Sequence, residues 1–86
     1  MQIKKELIKR TIAGDTILVP VGKAIYDSNG LFALNEVGAF LWDRLETAEN
    51  ETALVDALLE AYEVTQETAR QDVAEFLGEL RRLGIL

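Results

Sequence analysis

The chain of 86 residues contains neither cysteine nor histidine. Without cysteine it can form no disulfide and no thiolate metal site. Without histidine it lacks the commonest general base and metal ligand, and every Ser-His or Cys-His nucleophile pair is excluded. Its many carboxylates fall on the polar faces of predicted helices, where solvated side chains are expected. The sequence therefore predicts no enzyme, no metal site and no cofactor.

Long apolar runs are also missing. No segment approaches the roughly 20 apolar residues that span a bilayer, and the N-terminal MQIKKELIKR has no signal-peptide core. We therefore expect a cytoplasmic protein with no membrane partner. With 49% hydrophobic and 28% charged residues, the composition is typical of a globular protein, and residues 1–86 are predicted to form one domain.

The first third of the chain has the pattern of β-strands. Residues 6–12 are rich in β-branched and apolar side chains, 13–15 supply turn residues, and 16–21 form the second arm of a hairpin. Residues 22–30 are expected to be a loop. A third strand follows at Leu31, Phe32, Ala33 and Leu34, an unbroken apolar run typical of a strand that is buried on both faces.

Three helices are predicted after this strand. Asn35, Asn50 and Thr65 are expected to cap them, because short polar side chains accept hydrogen bonds from free backbone N–H groups. The third helix is the longest, at about residues 66–83, and Gly84 is expected to end it. The predicted fold class is α+β: a winged-helix-like domain with a three-stranded antiparallel sheet followed by three helices.

Charge argues against nucleic acid as a partner. Residues 1–23 carry five basic and two acidic side chains, whereas residues 24–86 carry four basic and thirteen acidic ones. The third helix, which would enter the groove of a duplex, has three arginines against four acids. Such a helix would be repelled by phosphates. A DNA-binding or regulatory winged helix is therefore kept only as an alternative.

The third strand points to a peptide or protein partner instead. Its four apolar residues include no charge or proline that would protect an edge from pairing with another chain. An extended peptide binds such an edge through main-chain hydrogen bonds. The same edge also fits a homodimer without a peptide client, so the chain is expected to be a monomer or a homodimer.

Two segments resemble PqqD-like proteins. LNEVGAFLWDRL, at 34–45, is similar to the segment that follows the third strand in that family, and DVAEFLGELRRLGIL, at 72–86, is similar to its C-terminal signature. The hairpin TIAGDTILVPVG, at 11–22, is in the corresponding place. Where members acting in pyrroloquinoline quinone synthesis show an Asp-Gly pair, this chain has ETAENE, which favours another peptide pathway.

This family resemblance implies a function. PqqD-like proteins are recognition elements for ribosomally made precursor peptides, so the chain is expected to be a non-catalytic chaperone. It would capture a leader peptide beside the third strand and present it to a modifying enzyme, for which a radical SAM protein is expected. The resemblance places the peptide against Leu31, Phe32, Ala33, Leu34, Arg70, Val73, Ala74 and Leu77. Arg70 is then a candidate to pair with an acidic leader residue.

Overall fold

The computed structural model describes residues 1–4, 6–22 and 32–86. The order of its elements confirms the predicted α+β class, with three antiparallel strands followed by three helices. Most of the expected loop and Leu31 lie outside the described residues. The elements are β1 (Leu7–Ile12), β2 (Asp15–Pro20), β3 (Phe32–Leu34), α1 (Glu36–Leu45), α2 (Glu51–Ala61) and α3 (Gln66–Arg82).

The sheet has the order β1-β2-β3, so β2 is central and β3 lies at an edge. The turn between β1 and β2 is made by Ala13 and Gly14, both with positive φ, at 53° and 85°. Pro20 is the last residue of β2 and lies opposite Leu7. A proline at a strand end removes no hydrogen bond from the middle of the ladder, so the central strand tolerates it.

The three predicted N-caps are confirmed. The side-chain oxygens of Asn35, Asn50 and Thr65 accept hydrogen bonds from the backbone N–H groups three residues further along the chain, at 2.7, 2.9 and 3.1 Å. Each cap satisfies one of the free donors at the start of its helix. Because Asn35 directly follows β3, its cap starts α1 immediately after the strand, without an intervening loop.

The end of α3 is a Schellman motif. The N–H of Gly84 donates to the carbonyl of Arg81 and that of Ile85 to the carbonyl of Leu80, at 3.1 and 2.8 Å. Gly84 has a φ of 76°, which glycine adopts without a steric cost. The turn returns Ile85 to the core, where it is fully buried, and the Ile85 carbonyl accepts a hydrogen bond from the Lys4 N–H.

The core lies mainly among the helices. α3 contributes four buried residues from one side, Ala69, Val73, Leu77 and Leu80. They pack with buried side chains of α1 and α2. The sheet supplies a fully buried Leu18. Among the described residues, the other buried apolar side chains are those of Leu41, Leu45, Leu54, Val55, Leu58 and Ile85.

The two faces of the sheet have different surroundings. Leu18 lies opposite Phe32 and shares its face, whereas Ile17 lies opposite Ala33 on the other face. Phe32 packs against the helical core, but Ala33 is exposed. The described helices cover the Phe32 side of β3 and leave Ala33 exposed, so this chain by itself does not bury both faces of the strand as its apolar run suggests.

Within residues 1–4, 6–22 and 32–86, no helix has the length and apolar character needed to cross a membrane.

Candidate functional site

The outer edge of β3 is open in the part of the chain that the structure describes. β2 pairs with one edge of β3, and no described strand pairs with the other. An unpaired strand edge presents free N–H and C=O groups, which an incoming extended chain can satisfy. The edge is short, since β3 has three residues and therefore spans about 10 Å.

A groove runs between β3 and α3, and we call it the β3–α3 groove. It consists of two neighbouring depressions of about 280 and 270 Å³ that share Ala33, Leu34, Phe76 and Glu79. One end is apolar, and there Leu18 and Phe32 from the sheet face Leu80 of α3 and Leu83, which directly follows the helix. An apolar floor of this kind can accept the apolar side chains of a peptide strand.

The other end of the groove is polar and lies where β3 passes into α1. It is lined by Asn35, Val37 and Gly38 on one side and by Asp72 and Glu75 of α3 on the other. Gly38 is buried, and an added Cβ would lie 3.2 Å from the Asn35 amide oxygen. This glycine allows α1 to begin close against the capping side chain, which explains a residue that is otherwise unfavourable inside a helix.

Glu79 lies where the two depressions meet, and it is paired with Arg82. The Arg82 Nε donates to Glu79 Oε2 at 3.0 Å, and a second guanidinium nitrogen contacts Oε1. These hydrogen bonds lower the pKa of Glu79 below its ordinary value. Glu79 therefore stays negatively charged at neutral pH, although its charge is partly balanced by its neighbour.

The structure brings part of the sequence-predicted site together. Phe32, Ala33 and Leu34 line the β3–α3 groove, while Leu31 lies outside the described residues. Contact between these residues and a peptide stays a prediction. On α3, however, Val73 and Leu77 are both fully buried in the core. They pack within the core and offer no surface to a bound chain.

Arg70 and Ala74 lie on a different surface. They line a depression between α2 and α3, together with Glu51, Thr52, Val55, Asp56 and Gln66. Successive residues of a helix are turned by about 100° around its axis. On that geometry Arg70 and Ala74 fall on one flank of the buried stripe, and Phe76 and Asp72 fall on the other. Only the second flank faces β3, so neither Arg70 nor Ala74 belongs to the groove.

Sequence reasoning missed the residues by which α3 faces β3. They are Asp72, Glu75, Phe76, Glu79 and Leu80, together with Leu83 directly after the helix. Phe76 and Leu83 belong to the stripe of apolar residues that recur at helical spacing between 69 and 83, but they are only half-buried. Their spacing of seven residues puts them on one border of that stripe. Their position on the border of the stripe is visible in the sequence and could have marked them as candidates. The pattern alone, however, does not say which element this border faces.

The fold and the groove define the class: an α+β domain with a groove suited to an extended chain. Its three-stranded sheet has an edge to which no described strand pairs, and this edge lies beside the longest of the three described helices. The chain matches the family described as Coenzyme PQQ synthesis protein D (PqqD) over residues 16–86. It belongs to the PqqD family.

Two solved structures resemble the chain over nearly its whole length. The first is TbiB1 in complex with the TbiA(beta) leader peptide, with a TM-score of 0.75 and 26% identity, covering 100% of this chain and 94% of that one. The second is lasso peptide synthetase B1 complexed with the leader peptide, with a TM-score of 0.74 and 20% identity, covering 98% and 93%. Among curated proteins, no sequence matches this chain.

Proposed function

We propose that this chain is a non-catalytic recognition protein that binds the leader of a ribosomally made precursor peptide in the β3–α3 groove. The observation that carries the proposal is the open edge of β3 beside a groove with an apolar floor. The leader adds a fourth strand to the sheet through main-chain hydrogen bonds, and its side chains enter the groove. Residues 1–86 act together as one peptide-recognition domain.

Membership of the PqqD family and the two similar structures support this function. Both of those structures are complexes with leader peptides. The second partner that we propose is an enzyme that modifies the bound precursor, and its proposed class is radical SAM. We propose that this chain, the precursor peptide and the modifying enzyme meet in the cytoplasm.

The groove is better suited to a peptide than to DNA. Its α3 side carries Asp72, Glu75 and Glu79, and carboxylates in these positions repel phosphates. The residues that line the groove offer backbone groups, apolar side chains and carboxylates, which fit binding rather than nucleophilic chemistry.

A titration followed by NMR tests the proposal. The probe is a synthetic peptide of about 25 residues that copies the N-terminus of the small precursor encoded beside this gene. We expect backbone shifts at Phe32–Leu34 and on the flank of α3 that carries Phe76. The depression that contains Arg70 and Ala74 is an internal control and should not shift.

Two results would contradict the proposal. Shifts confined to the depression between α2 and α3 would place the peptide on the wrong surface. Absence of binding, combined with a dimer whose population rises with concentration in sedimentation experiments, would favour a homodimer joined through β3. A monomer that fails to bind the adjacent leader would also count against the function.

A further inference from the structure

The wall of the β3–α3 groove formed by α3 is acidic. Asp72, Glu75 and Glu79 all line the depression next to the C-terminal end of β3. Their spacing of three and four residues puts them on one side of the helix, about 10 Å from first to last. Three residues of an extended peptide cover the same distance. A strand that pairs with β3 would therefore pass along all three carboxylates.

Two of these carboxylates lack a cationic partner within the described residues. Glu79 is paired with Arg82, and the remaining described ion pair joins Lys9 to Asp43 elsewhere. Asp72 and Glu75 take part in neither. Asp72 is also half-buried. A partly desolvated carboxylate gains more from a counter-charge than a fully solvated one does.

The apolar end of the groove lies next to this wall. Leu34 and Phe76 contribute to both depressions, whereas Leu18 and Leu83 line only the apolar one. A single bound strand can thus place apolar side chains among leucines while its neighbouring residues meet carboxylates. Arg70, which the family resemblance made a candidate to pair with an acidic leader residue, lies on the opposite flank of α3.

We infer that the leader recognised by this chain carries lysine or arginine next to its apolar residues, and that Asp72 and Glu75 bind this basic side chain. The inference rests on the proposed function and adds the chemical class of the peptide. The apolar residues give affinity at the Leu18 end of the groove. The basic residue distinguishes this leader from leaders that are apolar but neutral or acidic in the same place.

The first test is a selection that needs no knowledge of the natural precursor. A library of random 12-residue peptides, made by mRNA display, is selected against the full chain. Binders are mapped by NMR, and those that shift Phe32–Leu34 are sequenced. We expect lysine or arginine to be enriched within three residues of the apolar positions, and glutamate and aspartate to be depleted there.

The second test uses charge-neutral variants. For a selected peptide, Asp72→Asn combined with Glu75→Gln should weaken binding about tenfold, because each ion pair accounts for up to about fivefold. Glu60→Gln is the matched control, since Glu60 is an exposed acid on α2 outside the groove. It removes charge without touching the site and should leave the affinity unchanged.

Salt gives an independent readout. Raising the salt from about 0.05 M to 0.5 M should weaken binding to the unaltered chain, because screening reduces attraction between exposed charges. The dependence should be smaller in the double variant. Circular dichroism of each variant checks that the fold is retained.

The outcomes separate the two proposals. If no selected peptide shifts β3, the proposed function fails. If peptides bind the groove without enrichment of basic residues, or bind the double variant as tightly as the unaltered chain, this inference fails while the proposed function stands.

Discussion

At the scale of single residues, two glycines of the C-terminal segment differ in whether the backbone conformation requires glycine. Gly78 lies inside α3, where an added Cβ would meet no atom within 4 Å apart from its chain neighbours and the backbone of its own helix. Gly84 follows the helix with a φ of 76°, a conformation that a residue with a side chain adopts only with strain. The first glycine is replaceable, and the second is required by the backbone.

Alanine substitutions at these two positions should change stability in opposite directions. Gly78→Ala should raise the free energy of unfolding by about 0.5–1 kcal/mol, because alanine loses less backbone entropy in a helix. Gly84→Ala should lower it by about 1–2 kcal/mol, through strain in the left-handed region. Urea denaturation followed by circular dichroism measures both. Equal signs for the two variants would contradict this account of the Schellman motif.

At the scale of elements, the β3–α3 groove is made by one strand and one flank of a helix. Leu34 lies on the strand immediately before the Asn35 cap, so the start of α1 closes one end of the groove. On α3, the buried Val73 and Leu77 attach the helix to the core. This arrangement leaves Phe76 half-buried between the core and the groove, and its ring is shared by both depressions.

Removal of the Phe76 ring should therefore affect binding more than folding. We expect Phe76→Ala to weaken capture of a groove-binding peptide at least about tenfold, since aromatic anchors at interface centres account for about 1.4 kcal/mol or more. Isothermal titration calorimetry measures the change.

Leu59→Ala is the control for that substitution. Leu59 is also half-buried against the core, but it lies on α2, outside the groove. Leu59→Ala should lower the free energy of unfolding without changing the affinity of the folded protein for the peptide. An equal loss of affinity in both variants would mean that Phe76 acts only through folding.

At the scale of the whole molecule, a chain of 86 residues has little stability to spare, about 4–13 kcal/mol by the usual value per residue. In the described part of the chain, the helices hold most of the core, and the sheet adds the fully buried side chain of Leu18. A fourth strand supplied by a peptide would extend the smaller of the two layers. Binding should therefore be visible as stabilisation of the whole domain.

A bound peptide should raise the melting temperature. At a free concentration 100 times its Kd, a ligand that binds only the folded state adds about 2.7 kcal/mol. In a domain of this size that corresponds to a rise of about 10–20 °C. Differential scanning calorimetry with a groove-binding peptide measures it. A peptide of the same composition in scrambled order is the control, and an unchanged melting temperature at saturation would contradict binding to the folded state.

The sequence by itself determined the local elements of this protein. Alternation, turn residues and capping side chains act within a few positions of one another, which is why the hairpin, the caps at Asn35, Asn50 and Thr65 and the end of α3 at Gly84 were predictable. The resemblance of residues 34–45 and 72–86 to PqqD-like proteins also pointed to the family that the match over residues 16–86 shows.

Only the tertiary structure decided which side of α3 faces β3. The apolar stripe of a helix says which side is buried, but its two flanks are equivalent until the neighbouring elements are placed on them. Here α2 lies against the flank of Arg70 and Ala74, and β3 lies against the flank of Asp72 and Phe76. The α3 side of the groove consequently carries acids where the family resemblance suggested Arg70, because packing among helices and sheet assigned the two flanks.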